Sequence, residues 1–471
     1  MALTRYLLWC VNDLVGFRVP ELRSVAAMLG IQLRFQDPEE TEHPYLLVDL
    51  EDDESARKIL SRTLLVRSCF RLYAAGQSMA EIHRQIRSLI AQDFLSAYRE
   101  ASFRIQVEGF SKTISFQEKL DRVNAFAYLP LKGPVKLKDP DLSLHLFEYY
   151  GLDPNRAPEE PYRIFFGRWV CDGQRKQTSK YSLKDRKFIG STSMDPCLAL
   201  IMGNLAQVKP GDIVLDPFVG TGSLLIGSGH WGAYVLGTDI DYLTLHGKTK
   251  PTRYNQEFRA PDESVEANMK QYGLWNRYLD VVVSDAALPI WRRNLRLDAI
   301  VTDPPYGIRE ATEKIGSKRH KPRPVLGHQV KSHIPSRVQY GLGEIYKDLL
   351  RFAATHLEIG GRLVFWYPVN QDGYCEERLP SLSCLQLRAN CEQVLSVHSS
   401  RRLMAYTKIK EPESSEEPFV DAELLAGFRD RFFGSAAKGT RQERKKTVNE
   451  KRQKRLHELH AQLSSASEEG S

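Results

Sequence analysis

The chain has 471 residues, 42% of them hydrophobic, which allows two domains with apolar cores, and no apolar run is long enough to span a membrane. Seven scattered cysteines form no Cys-x-x-Cys pair and no cluster with histidine, so we expect no metal site and no disulfide framework, and we predict a cytoplasmic location. The net charge of +7 is that of one segment, Lys438 to Arg455, with nine basic and two acidic residues, so it identifies no partner for the rest of the chain.

Residues 1–180 are predicted to form an α+β region. Amphipathic patterns favour helices at 21–29, 54–64, 79–90 and 116–126, the last with Ser115 as its N-cap. Runs of β-branched and aromatic residues favour strands at 45–50, within 61–73, at 103–107 and at 163–170. This region contains no catalytic pattern, so binding or packing is its expected role.

A second domain is predicted at 181–410. It begins with a helix at 196–205 and an apolar strand that ends at Asp216. The strand leads into Pro217-Phe218-Val219-Gly220-Thr221-Gly222, whose glycines would let a ligand approach the backbone, and the following helix start offers free amides to a carboxylate. The turn lacks the lysine of a P-loop and the third glycine of a nicotinamide site. The predicted cofactor residues here are Asp216, Phe218, Gly220, Thr221 and Gly222.

The next two predicted strands are also followed by acidic residues. The strand at 232–239 ends at Asp239, followed by Ile240, and an acid in this place can bond ribose hydroxyls. The strand at 281–283 precedes Asp285 and Ala286, where an acid can meet an adenine amino group. Because open α/β sheets bind ligands at the carboxyl edge of their strands, these four residues join the predicted cofactor site.

A fourth apolar strand, 297–301, leads into Asp303-Pro304-Pro305-Tyr306. The prolines fix φ and remove two backbone donors, so nearby carbonyls are left as acceptors beside a carboxylate and an aromatic ring. Such a group suits a flat ring with an amino substituent, and the pattern is similar to the motif of S-adenosylmethionine-dependent amino methyltransferases. Four strand-end motifs in this order argue against a coincidental proline turn. The predicted catalytic residues are Asp303, Pro304, Pro305 and Tyr306.

Strands predicted at 363–367, 392–397 and 402–408 complete an α/β fold, a doubly wound Rossmann-like sheet with a final antiparallel hairpin. The loop from Gly307 to Arg337 carries eight Lys/Arg and two Glu, so it is either a clamp for a phosphate backbone or a solvated loop. Residues 411–471 are predicted to be an acidic linker followed by a basic, largely disordered tail.

With these motifs in view, the chain resembles the eukaryotic guanosine-10 tRNA N2-methyltransferases. The resemblance implies a THUMP-type RNA-binding domain in 1–180, a class I methyltransferase domain in 181–410, S-adenosylmethionine as cofactor and tRNA as substrate. Ser223 stands where the family often has another glycine, and a small side chain there should keep the pocket. The sharpest matches are Phe166-Gly167-Arg168-Trp169, Phe188-Ile189-Gly190-Ser191-Thr192-Ser193-Met194-Asp195, the glycine turn, Gly237-Thr238-Asp239-Ile240-Asp241 and Asp303-Pro304-Pro305-Tyr306-Gly307.

The resemblance also implies a mechanism. The exocyclic nitrogen of guanine is a poor nucleophile because its lone pair is delocalised into the ring. Asp303 and the Pro304 carbonyl would hold its protons and aim that lone pair at the sulfonium methyl, and the carboxylate would take the released proton. Tyr306 would cradle a guanine that has left its helical stack. No metal is needed for this reaction.

Other functions stay open at this point. A protein-glutamine methyltransferase shares the fold, but its motif usually begins with Asn and it has no RNA-binding front half. An amino methyltransferase that acts on DNA adenine or on another RNA can also have a motif that begins with Asp. A non-catalytic RNA-binding scaffold would be expected to lack Asp303 or Gly220, and both are present.

The strand Leu279-Asp280-Val281-Val282-Val283 is predicted to lie at an edge of the methyltransferase sheet. An apolar edge strand with unpaired amides invites pairing with another chain. The family resemblance implies a small zinc-binding activator subunit as the partner in a heterodimer. A loop or the tail of the same chain is the alternative cover for this strand.

Overall fold

The computed structural model describes residues 3–36, 42–288, 290–317, 335–396, 398–413 and 415–436. The chain divides into two compact units, Met1–Lys180 and Tyr181–Ser471, and each contains a seven-stranded sheet. Within the described ranges, no helix is both long and apolar enough to cross a membrane. The predicted basic tail beyond residue 436 lies outside the described residues.

The first unit is an α+β structure. Its strands are β1 (Thr4–Cys10), β2 (Arg34–Phe35), β3 (Tyr45–Leu50), β4 (Val66–Gly76), β5 (Phe103–Phe110), β6 (Leu142–Tyr149) and β7 (Arg163–Asp172), and its helices are α1 (Arg18–Leu29), α2 (Asp53–Leu60), α3 (Met79–Ile90), α4 (Phe116–Asn124) and α5 (Gln177–Lys180). The strand order is β2-β3-β1-β4-β7-β6-β5, and only β5 and β6 are parallel. Alternate residues of β1 enter two cores: Tyr6 and Leu8 pack with α1 and α2, whereas Leu7 and Trp9 join an aromatic cluster.

The elements predicted for this unit are present, with some ends shifted. Helix α3 has the predicted bounds, but α2 stops at Leu60 instead of residue 64. The reason is that the amides of Leu64 and Leu65 donate to the buried carboxylate of Glu21, at 3.0 and 3.1 Å. The sequence analysis does not predict β1, β2 or β6. Residues 142–146 of β6 alternate between apolar and polar side chains, as in a half-exposed strand, but the structure buries both faces of β6 along its whole length.

The second unit is built on a doubly wound sheet. Its strands are β8 (Ile213–Asp216), β9 (Tyr234–Asp239), β10 (Tyr278–Val283), β11 (Leu297–Thr302), β12 (Glu313–Ile315), β13 (Arg337–Gln339), β14 (Leu357–Asn370), β15 (Leu385–Val394) and β16 (Ser399–Lys408), and its helices are α6 (Pro196–Leu205), α7 (Ser223–His230), α8 (Tyr242–Leu245), α9 (Val265–Gln271), α10 (Leu342–His356), α11 (Ala422–Leu425) and α12 (Phe428–Ala436). The main sheet has the order β10-β9-β8-β11-β14-β16-β15, parallel as far as β14, with β16 antiparallel to both neighbours. The predicted fold class, the final antiparallel hairpin and the edge position of β10 are confirmed.

The structure differs from the predicted linker and tail in the segment 415–436. Phe419 pairs with Ser381 in an isolated β-bridge. Leu424 and Leu425 of α11 join the hydrophobic core that includes α10 and β14, and Phe428 at the start of α12 is 1% exposed. This segment therefore completes the core of the second unit, because its apolar side chains are spaced to cover that core.

The predicted basic loop begins and ends in a two-stranded ribbon. β12 and β13 pair in antiparallel fashion, and Lys314 and Arg337 form ion pairs with Glu344 and Glu313 at 2.9 and 3.4 Å. These two basic residues fasten the base of the loop. The other basic residues counted in its middle, at 318, 319, 321, 323 and 331, lie outside the described residues.

Candidate active site

The candidate site is a cavity of about 730 Å³ at the carboxyl edge of the main sheet. Because β8, β9, β10 and β11 are parallel, the motifs that follow them meet at this edge. The wall includes every predicted catalytic residue and every predicted cofactor residue except Gly222. These wall residues are Asp216, Phe218, Gly220, Thr221, Asp239, Ile240, Asp285, Ala286, Asp303, Pro304, Pro305 and Tyr306.

The two glycines of the turn have different roles. Gly220 has a φ of +48°, and no atom of the described residues lies within 4 Å of the place that a Cβ would occupy, so its backbone borders open space. Gly222 has a φ of +78°, and a Cβ there would lie 2.7 Å from Cγ1 of Val265. Its N–H donates to the carbonyl of Val219 at 2.8 Å. Gly222 thus allows the turn to pack, and only Gly220 provides the predicted open approach.

Two buried carboxylates hold this turn in place. Asp216 accepts a hydrogen bond from Oγ1 of Thr302 at 2.6 Å, which joins β8 to β11, and another from the amide of Phe218 at 3.0 Å. Asp239 accepts the amide of Gly220 at 2.9 Å and a second amide beyond β9 at the same distance. Burial raises the pKa of Asp216 to about 7 and the pKa of Asp239 to about 6, although these hydrogen bonds oppose the shift.

Asp285 lies just beyond β10 and is 4% exposed. Its carboxylate accepts the amide of Ala287 at 2.9 Å and the amide of Ile315 at 2.6 Å. The second bond links β12 to the cavity wall. The β12–β13 ribbon at the base of the basic loop is therefore hydrogen-bonded to the carboxyl end of β10. Ala286 lies beside it in the wall.

The carboxylate of Asp303 is bonded through both oxygens. Oδ1 accepts the hydroxyl of Tyr306, and Oδ2 accepts Nη1 of Arg401 at 3.3 Å. The side chains of Asp303 and Arg401 are 23% and 13% exposed, so the ion pair is largely shielded yet reaches the cavity. Burial raises the pKa of Asp303, and the adjacent guanidinium opposes that shift.

Sequence reasoning misses Arg401 as a site residue. The predicted strand begins at residue 402, whereas β16 begins at Ser399. Because β16 runs antiparallel, its first residues lie at the carboxyl edge of the parallel strands. The segment 190–195, where Ser193 bonds Oγ1 of Thr221 at 2.7 Å, and Phe432 of α12 also contribute to the wall without having been predicted there.

A doubly wound sheet that brings a glycine turn, acidic strand ends and an Asp-Pro-Pro-Tyr run into one cavity defines a Rossmann-like methyltransferase domain. Two family models match the chain. Residues 184–321 match the RMKL-like methyltransferase domain, and residues 4–175 match the Tmrp11 THUMP N-terminal domain. The THUMP-type domain implied by the sequence resemblance is therefore present.

Curated relatives match nearly the whole chain. The tRNA (guanine(10)-N(2))-methyltransferase TRMT11 of Xenopus laevis is 44% identical over 453 residues, which cover 94% of both chains. The human protein of the same name is 42% identical, covering 94% of this chain and 98% of its own, and that of Dictyostelium discoideum is 34% identical, covering 87% and 83%. The chain belongs to the TRMT11 family of tRNA (guanine(10)-N(2))-methyltransferases.

Proposed function

We propose that this chain transfers a methyl group from S-adenosylmethionine to the exocyclic N2 of guanosine 10 in tRNA. The observation that carries this proposal is the position of Asp303-Pro304-Pro305-Tyr306 in the same cavity as the glycine turn. Family relatives with 42% and 44% identity support tRNA as the substrate and guanosine 10 as the target. We further propose a cytoplasmic location, which the scattered spacing of the seven cysteines supports, since it is not that of a disulfide framework.

The cavity suits S-adenosylmethionine. The open backbone at Gly220 admits a ligand, and Phe218 and Ile240 supply apolar wall. Asp239 and Asp285 stand at the strand ends, where they would hold the ribose hydroxyls and the adenine amino group. The volume of about 730 Å³ leaves room for a cofactor and a base together. When bound, the cofactor supplies a methyl group on a positively charged sulfur.

The catalytic run can activate a guanine amino group. The carboxylate of Asp303 and the carbonyl of Pro304 can accept its two N–H groups, which localises the nitrogen lone pair and fixes its direction. After transfer the nitrogen carries an extra proton, and the carboxylate can take it. The hydroxyl of Tyr306 is bonded to Asp303, so its ring is held at the cavity wall, where an extruded guanine can stack.

The proposal is tested with purified protein, labelled methyl donor and a tRNA transcript. We expect the label on N2 of guanosine 10, identified by digestion and mass spectrometry. A matched transcript that carries adenosine at position 10, with its pairing partner changed to preserve the helix, should stay unlabelled. Label at another nucleotide, or equal label in both transcripts, would contradict the proposed target.

We infer that the first unit binds the tRNA partly through the loop 132–138. Its backbone is held by β5, because the amide of Lys136 donates to the carbonyl of Phe103 at 2.9 Å and Arg104 donates to the carbonyl of Leu137 at 2.9 Å. A fixed loop that presents cations among apolar side chains suits a nucleic-acid backbone. The exposed side chains of this loop are Lys132, Pro134, Val135, Lys136, Leu137 and Lys138.

Reversing two of these charges tests the loop. Lys136→Glu with Lys138→Glu is expected to weaken tRNA binding by about tenfold or more and to flatten its salt dependence, since phosphate contacts release counterions. Filter binding at several salt concentrations measures both effects. The matched control, Arg57→Glu with Lys58→Glu on exposed positions of α2, changes the charge equally and should have a smaller effect. Equal weakening by both pairs would remove the loop from the RNA-binding surface.

We also propose a heterodimer with a small zinc-binding activator subunit along β10. Among the residues that the structure describes, this strand has a neighbouring strand on one side only, and Leu279, Val282 and Val283 are 53%, 38% and 40% exposed. The amide of Ser284 donates to β9 at 3.0 Å, so strand alternation turns the amide of Val283 outward. An added strand would pair that amide and cover the apolar side chains.

Val283→Pro is expected to abolish co-purification with the activator subunit, because proline removes the outward donor while the bonds from β10 to β9 remain. Val283→Thr keeps the amide and serves as the control. Pull-down after co-expression measures the complex, and thermal melting checks the fold. A heterodimer that survives in the proline variant would place the contact elsewhere, and a fully active monodisperse monomer would exclude an obligate partner.

A further inference from the structure

Arg401 lies near the start of β16, beside the candidate catalytic carboxylate. Its Nη1 donates to Oδ2 of Asp303 and to the hydroxyl of Tyr306, both at 3.3 Å, and its Nε donates to Oε1 of Gln393 at 2.8 Å. The guanidinium carbon lies 3.9 Å from the ring centroid of Trp366. Side chains from β14, β15 and the Asp303–Tyr306 segment therefore hold the guanidinium in place. The ion pair between Arg401 and Asp303 is thus fixed, unlike a mobile surface ion pair.

The charge state of Asp303 decides what it can do for an amine. An ionised carboxylate accepts N–H groups, whereas a protonated carboxyl presents an O–H donor in their place. A partly buried carboxyl tends to take up a proton, and a neighbouring cation opposes this. The titratable groups that act on Asp303 or are acted on by it are Tyr306 in the same turn, Arg401 on β16, Asp216 on β8 and Tyr346 on α10. Arg401 alone among these is positive.

We propose that Arg401 is a positioning residue for methyl transfer, which keeps the Asp303 carboxylate ionised and oriented through bonds to both Asp303 and Tyr306. This rests on the proposed role of Asp303 as the acceptor for guanine N2. The three groups form a closed set, since Tyr306 donates to Oδ1 while Arg401 donates to Oδ2 and to the Tyr306 hydroxyl. Each carboxylate oxygen keeps a lone pair for the substrate. A carboxylate without this support would rotate and take up a proton.

Kinetics of Arg401 variants give the first test. In Arg401→Gln we expect kcat for tRNA methylation to fall by about 100-fold, because small misplacements of a reacting group have effects of this size. The acid limb of the kcat–pH profile should move up by about one to three pH units, since the lost cation no longer lowers the pKa of Asp303. Arg401→Lys keeps the positive charge, so its kcat–pH profile should lie close to that of the unmodified protein. Affinity for S-adenosylmethionine should stay within about twofold.

Arg402 provides the matched control. It is the next residue on β16, its ring contact is with Tyr374 at 3.7 Å, and its ion pair is with Glu392 at 3.7 Å. Arg402→Gln makes the same change one residue away and should leave both kcat and the pH profile close to those of the unmodified protein. A double-mutant cycle adds specificity: if Arg401 acts through Asp303, then Arg401→Gln in an Asp303→Asn background should lower the rate by less than about threefold.

A titration without substrate separates this inference from the proposed function. The carboxyl carbon of Asp303 is followed by NMR in protein labelled at aspartate, with Asp303→Asn to assign the signal. We expect its pKa to be higher in Arg401→Gln than in the unmodified protein. If the protein fails to methylate guanosine 10 but this difference is seen, the proposed function is wrong while the control of the carboxylate stands.

Three results would overturn the inference. The first is a kcat for Arg401→Gln within about threefold of the unmodified protein. The second is a lower kcat for Arg401→Gln without a shift in the acid limb of the kcat–pH profile or in the NMR titration of Asp303. That result is expected if Arg401 has a structural role alone. The third is a fall in kcat of about 100-fold when Arg401→Gln is added to Asp303→Asn. The effects of independent sites add in this way, so this result would show that Arg401 acts independently of the carboxylate.

Discussion

Asp303→Ala is expected to lower the rate of methyl transfer by about a thousandfold, or about 4 kcal/mol of transition-state stabilisation. The substitution removes the acceptor that would hold and deprotonate the guanine amino group. It also leaves Arg401 without its carboxylate partner. Single-turnover methylation with saturating tRNA and cofactor measures the chemical step directly.

The control for this prediction is Asp303→Asn, which keeps the shape and one acceptor oxygen but lacks the charge. We expect a rate between those of the unmodified protein and the alanine variant. Calorimetry should give a cofactor affinity within about threefold of the unmodified protein for both, because Asp303 is proposed to contact the guanine and not the cofactor. An alanine variant with near-normal single-turnover rates would remove Asp303 from the chemistry.

Asp239→Ala is expected to raise the dissociation constant for S-adenosylmethionine by roughly 10-fold to 100-fold, which corresponds to about 1–3 kcal/mol. Two effects act in the same direction. The ribose would lose the hydrogen-bond partner proposed for it. The amide of Gly220 loses its acceptor, which lies at 2.9 Å and fixes the turn. Calorimetric titration with the cofactor measures the change.

Gly220→Val should weaken the cofactor to a similar or greater extent. Gly220 has a φ of +48°, which a β-branched residue adopts only with strain, and its side chain would enter the open space of the cavity. Gly273→Val is the matched control, because Gly273 has a φ of +70° and open surroundings but is not part of the cavity wall. Unchanged affinity in both Asp239→Ala and Gly220→Val would refute the assigned cofactor pocket.

The parallel part of the sheet explains why so much of the site could be predicted. An aspartate ends or follows each of four apolar strands, and parallel strands bring such positions to one edge. These residues are Asp216, Asp239, Asp285 and Asp303. A sequence pattern therefore translates into spatial proximity without knowledge of side-chain packing. The family motifs then add a chemical meaning to an edge that the fold has already assembled.

The remaining features depend on information that local patterns do not contain. Arg401 reaches the site because β16 reverses direction, so its first residues lie where other strands end. Gly222 has the same local signal as Gly220, and only the contact with Val265 separates their roles. The segment 415–436 is set among charged residues, and its burial depends on a core surface formed by distant strands and α10.

The central claim is most directly tested by nucleoside mass spectrometry of tRNA from cells that lack this protein. We predict that N2-methylguanosine at position 10 is lost in these cells, that the unmodified chain restores it, and that Asp303→Ala expressed at the same level does not. Persistence of the modification in the absence of the protein, or its restoration by Asp303→Ala, would contradict the account.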